Sequence, residues 1–109
     1  MNLPKFKELG NKIEELLPTM IEELKRELKE EFPQYIESLS RPLQLILSDI
    51  YKQTNEKFIV LIDEWDYIFR ESTNSKLHEE YVDFLRTLFK DSPYIKLVYI
   101  TGILPVKRY

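Results

Sequence analysis

"KFIVLIDEWDYIFRE", residues 57–71, runs five apolar residues straight into three carboxylates, Asp63, Glu64 and Asp66. "FIVLI" (58–62) has no polar alternation. It reads as a strand covered on both faces, as in a parallel sheet beneath helices. Such a strand delivers Asp63 and Glu64 to its C-terminal end, the position where open α/β sheets bind ligands.

Downstream, "ESTNS" (71–75) is a loop, and Leu77, Tyr81, Phe84, Leu85, Leu88 and Phe89 mark an amphipathic helix that "DSP" stops. "IKLVYIT" (95–101) is a second strand. The 33 residues from Asp63 to Ile95 hold a crossover helix, so the two strands are expected to be parallel with a right-handed connection.

Upstream of Thr54 the pattern is helical. Phe6, Leu9, Ile13, Leu16 and Leu17 follow one helix face. Pro18 then either starts a new helix in its first turn or kinks a continuous one. Ile21, Leu24 and Leu28 carry the face through "MIEELKRELKEEF", whose charges read as a solvated surface with a Glu22–Arg26 pair. Phe32-Pro33 ends this helix, because the residue before a proline is driven from the α region. In "SLSRPLQLILSDIYKQTNEK" (38–57), Ser40 supplies cap chemistry and Pro42 suits the first turn. Leu43, Ile46, Leu47 and Ile50 form the stripe. The expected organisation is a helical segment, 1–54, ahead of a strand–helix–strand unit, 55–109.

Composition bounds the function. The chain has 109 residues, 43% hydrophobic and 32% charged, with 13% aromatics, which describes a small globular domain rather than a disordered one. A net charge of −3 and seven tyrosines without basic interleaving give no nucleic-acid surface. The absence of cysteine excludes a disulfide scaffold and a cysteine zinc site, and fits a cytoplasmic location. No apolar run exceeds five residues, which excludes a membrane span and a secretory signal.

A hydrophobic strand ending in Asp-Glu is the Walker B pattern of P-loop nucleotide hydrolases, in which the Asp holds Mg²⁺ and the Glu polarises the attacking water. The same pattern has a bland explanation, since apolar strands commonly end where they meet a polar surface. The wider segment is more specific. "IDEWD" with "IFRE" after it, the helix "YVDFLRTLFKD" and the strand ending "YITGILPVKRY" together closely resemble the AAA-ATPase-like family of predicted P-loop ATPases. The likeness covers 57–109 well and the N-terminal helices only in pattern and position.

The resemblance implies an α/β fold, part of an AAA-like P-loop core. It assigns Asp63 to Mg²⁺, Glu64 to the general base and Thr101 to the sensor place that orients the attacking water. Gly102 is expected to let the backbone turn there. Asp66 either caps the following segment or adds charge behind the site, and Trp65 is packing. His78 is expected to face solvent, and Lys107 and Arg108 are a surface pair.

The phosphate cradle G-x-x-x-x-G-K-[ST] is missing: the only glycines, Gly10 and Gly102, lie in other settings. The expectation is therefore a piece of a larger ATPase, cut at both ends, that neither binds Mg²⁺ and ATP tightly nor hydrolyses ATP alone. Two parallel strands with two open edges should self-associate or take a partner protein. One alternative is a non-enzymatic module docking onto a partner that supplies the cradle. Another is a metal-dependent nuclease using Asp63, Glu64 and Asp66, disfavoured because Lys96 lies at the wrong end of its strand.

Overall fold

A computed structural model describes residues 1–4 and 12–102. Phe6, Leu9 and Gly10, Lys107 and Arg108, and the segment after Gly102 lie outside the described residues. The elements are a 3₁₀ turn (Ile13–Glu15), α1 (Leu16–Glu31), α2 (Leu43–Thr54), β1 (Phe58–Ile62), α3 (Tyr67–Glu71), α4 (Ser75–Phe89) and β2 (Ile95–Ile100). The architecture is mixed helix and strand around a two-stranded parallel sheet.

Pro18 occupies the first turn of α1, where a missing N–H breaks no intrahelical bond. Of the two placements open to it, the helix-starting one is found. Leu16, Leu17, Met20, Leu24 and Leu28 are the buried face. Met20 (0% exposed) holds the centre and Ile21 is only partly buried. The helix stops at Phe32 (φ −125°, ψ 55°), ahead of Pro33 as expected, and the Phe32 ring meets Phe58 edge-on at 6.0 Å. Two charges in this stretch behave differently from a solvated face. Lys25 is buried, and the Lys29 ammonium donates to the carbonyls of Pro33 and Ile36, pinning the loop back onto the helix. Arg26 pairs with Glu23 at 2.6 Å, one residue away from the expected Glu22.

In α2 the stripe Leu43, Ile46, Leu47 and Ile50 is buried as its spacing requires. Ser40 does not cap it, because its hydroxyl is bonded to Ser38 at 2.7 Å. Pro42 is itself the N-cap residue, and its carbonyl accepts from the N–H groups of Leu45 and Ile46. Asn55, in the left-handed region at φ 60°, closes the other end.

β1 and β2 pair in parallel, with Ile59 opposite Leu97, Val60 opposite Val98, Leu61 opposite Tyr99 and Ile62 opposite Ile100. The burial of β1 alternates, which corrects the expectation of a strand covered on both faces. Phe58, Val60 and Ile62 join the helical side chains in one core, whereas Ile59 and Leu61 remain 42% and 40% exposed. Their β2 neighbours Leu97 and Tyr99 are 44% and 56% exposed. The reason is geometric: among the described residues the helices supply their buried side chains to the face of Phe58, Val60 and Ile62.

Of the two sheet edges expected to be open, that of β1 is bridged by the N-terminal residues. The Leu3 N–H donates to the Leu61 carbonyl at 3.0 Å and the Leu61 N–H to the Met1 carbonyl at 2.9 Å, forming a short parallel bridge. The far edge of β1 is thereby partly paired. Among the described residues no helix is long and apolar enough to cross a membrane.

Candidate functional site

The site forms where the two strands end side by side. Pairing continues past Ile62: the Thr101 N–H donates to the Ile62 carbonyl at 2.9 Å, and the Trp65 N–H donates to the Thr101 carbonyl at 3.0 Å. Between these bonds the chain must reverse out of the strand within a few residues. It does so with Glu64 at φ 54°, while the Tyr67 N–H closes the turn onto the Glu64 carbonyl at 3.0 Å. An L-residue in that region costs about 1–2 kcal/mol.

This turn brings together residues 38 apart in the chain. The Thr101 hydroxyl donates to Asp63 Oδ1 at 2.7 Å. Asp63 is exposed and Glu64 half-buried. The three sequence-nominated residues, Asp63, Glu64 and Thr101, therefore sit together at the C-terminal ends of β1 and β2.

Asp66 takes a different role from its two acidic neighbours. It is fully buried (0% exposed), and Arg70 Nε donates to its Oδ2 at 3.1 Å. It stands at the N-cap position of α3, yet its side chain makes no capping bond. The capping alternative is thus replaced by an ion pair, and this carboxylate is not presented to solvent. Trp65 is 3% exposed, edge-on to Phe69 at 5.5 Å, and its carbonyl accepts from the Tyr81 hydroxyl of α4 at 2.5 Å. Packing is its role, as expected.

Gly102 is required for a reason other than turning. A Cβ there would lie 2.5 Å from Trp65 Cδ1 and 2.6 Å from Asp66 Oδ1, so only glycine lets the strand end rest on these groups. His78 is not simply solvent-facing. Its Nε2 is 2.7 Å from the Ser72 carbonyl and its ring lies 4.9 Å from that of Phe69.

Arg70 and Tyr81 are the residues that sequence reasoning missed. Arg70 was findable, because Asp66 and Arg70 stand at i,i+4 in "DYIFR". Tyr81 was placed correctly in the apolar stripe, but nothing local announces that its hydroxyl reaches Trp65.

The chemistry of these donors suits a hard cation only in part. Among the described residues no group of three His, Cys, Asp or Glu side chains converges to hold a metal alone. Mg²⁺ does not need one: it usually takes one or two carboxylates and completes its shell with water and substrate phosphates. The exposed Asp63 carboxylate, with a hydroxyl beside it, fits that mode. A nuclease centre built on all three acids fits poorly, since Asp66 is committed to Arg70.

A family model described as predicted AAA-ATPase matches residues 1–109, including the N-terminal helices whose likeness was loose in the sequence. No curated protein and no solved structure matches the chain.

Proposed function

The chain belongs to the AAA-ATPase-like family, and from that premise we propose that it carries the acidic and sensor half of an ATP-hydrolysing site on part of a P-loop core. Asp63 holds the Mg²⁺ of the nucleotide, Glu64 is the general base and Thr101 is the sensor. The observation that carries this is the 2.7 Å bond from the Thr101 hydroxyl to Asp63, which joins the ends of adjacent parallel strands.

The roles follow from the groups themselves. With its proton directed at Asp63, the Thr101 oxygen keeps lone pairs that accept a hydrogen from the attacking water. Glu64 follows Asp63 in the same turn, and its carboxylate takes the water's other proton as the oxygen attacks the γ-phosphorus and the bond to the bridging oxygen breaks, with ADP leaving. When bound, Mg²⁺ neutralises charge on the phosphate oxygens. Positioning of the β- and γ-phosphates falls to backbone N–H groups and a lysine of a glycine-rich cradle, and the 109 residues contain no such segment. Hydrolysis therefore requires a cradle from outside these residues.

A second reading, an interaction module without turnover of its own, is favoured by the exposed sheet face of Ile59, Leu61, Leu97 and Tyr99. In that case the partner supplies the cradle and the chain completes it.

Calorimetry with Mg²⁺ and ATP tests the proposal. The 109-residue chain alone is expected to show no tight binding, and the same residues joined to or mixed with a Gly-Lys-Ser/Thr-bearing polypeptide are expected to bind. Tight, Mg²⁺-dependent binding by the chain alone would sink the need for an external cradle. In the completed protein, Glu64→Gln should abolish hydrolysis and spare binding; retained turnover refutes the base assignment.

A further inference from the structure

We infer that Asp66 and Arg70 are positioning residues for the Thr101–Asp63 contact, a role that builds on the reading of that contact as part of a hydrolytic site. The path from the ion pair to the contact is short, with Gly102 packed too closely on Asp66 and Trp65 to admit a side chain. Arg70 Nε holds Asp66 Oδ2 at 3.1 Å. The other oxygen of the same carboxylate lies 2.6 Å from where a Cβ of Gly102 would stand, and the Trp65 indole Nε1 lies 2.7 Å from that same point. The backbone of Gly102 thus rests on a floor made by the Asp66 carboxylate and the edge of Trp65. Thr101 precedes it, held on its other side by its N–H bond to Ile62 and by the Trp65 N–H on its carbonyl.

A fully buried carboxylate stays charged in place only while a cation and hydrogen bonds compensate it. Loss of Arg70 removes the ion pair that fixes Oδ2 of this carboxylate. A reoriented carboxylate alters the floor under Gly102 and, through it, the height of Thr101. The Thr101 hydroxyl, bonded to Asp63 at 2.7 Å, then shifts relative to it. Tyr81 fixes the same floor from behind through the Trp65 carbonyl. A pair that merely stabilised α3 would change the melting temperature and leave Thr101 where it is.

The test is nuclear magnetic resonance of the folded chain without nucleotide, well below its melting temperature. Trp65 is the only tryptophan, so its indole N–H gives a single signal, and the Thr101 methyl gives a second reporter. Arg70→Met is expected to shift both signals, and Arg70→Lys, which keeps the charge, to shift them less. Both signals at their parent positions in folded Arg70→Met would overturn the inference. If Arg70→Met does not fold, Gly102→Ala presses on the same floor from above and must move both reporters; unmoved reporters there overturn it equally. Because no nucleotide is present, a failure here is separate from a failure of the ATPase reading, which the Glu64→Gln experiment decides. In a completed, active protein the Arg70→Met substitution should lower kcat about tenfold to a hundredfold, the scale of misplaced catalytic geometry, with KM little changed.

Discussion

Glu64 holds a backbone conformation that its residue type rarely adopts. Among the described residues three non-glycine residues have positive φ: Asn55 at 60°, Glu64 at 54° and Asp91 at 52°. Asn and Asp are the types that tolerate this region, and both stand just past helix ends. Glutamate has no such excuse, and it sits in the candidate site, where strain of about 1–3 kcal/mol commonly persists. Chemical denaturation should therefore rank the variants Glu64→Gly as the most stable, Glu64→Asn next and Glu64→Val the least. A Val variant as stable as the Gly variant would remove strain from the account. Gly102 gives the opposite sign. Adding one methyl against Trp65 and Asp66 is expected to cost about 1–3 kcal/mol of stability, measured in the same way.

At the scale of elements, α3 and α4 show how a short helix is held. With five residues, α3 is far below the length at which an isolated helix persists. Tertiary contacts hold it: Ile68 is fully buried, and the Phe69 ring lies 5.5 Å from Trp65, 5.8 Å from Tyr81 and 4.9 Å from His78. α4 begins at a true cap, with Asn74 Oδ1 accepting from the Leu77 N–H at 3.2 Å. Asn74→Ala should lower stability by about 1 kcal/mol, the usual worth of such a cap. Tyr81→Phe removes the donor from a buried carbonyl and is expected to cost about 1–3 kcal/mol. Thermal melts of the two variants check both values, and a neutral Tyr81→Phe would mean that the Trp65 carbonyl is satisfied otherwise.

For the whole molecule, the unevenly covered sheet matters most. One face is core; the other shows Ile59 and Leu61 beside Leu97 and Tyr99, a contiguous apolar patch of the kind that marks an interaction surface. Met1–Leu3 shields part of one edge through its bonds to Leu61. We propose that the chain self-associates through this sheet face. Sedimentation over a range of concentrations should show a rising average mass, and Leu97→Thr with Tyr99→Thr should reduce it while the helical core stays intact. A monomer at all concentrations, melting cooperatively, would contradict the proposal.

The sequence by itself determined the order and bounds of most elements, because periodicity, proline and cap residues act within a few positions. β1 spans the expected 58–62, and the stripes of α2 and α4 are buried where their spacing put them. The apolar strand ending in Asp-Glu also brought Asp63 and Glu64 into view, and the family resemblance pointed to Thr101. Tertiary structure alone decided the rest. An unbroken apolar run cannot say whether one face or two will be covered, because that depends on which helices pack there. Nor do three neighbouring acids reveal that one is buried against Arg70 while another meets Thr101 across the sheet. The covered face, the burial of Asp66 and the Thr101–Asp63 bond rest on segments far apart in the chain, and only the i,i+4 spacing of Asp66 and Arg70 is local.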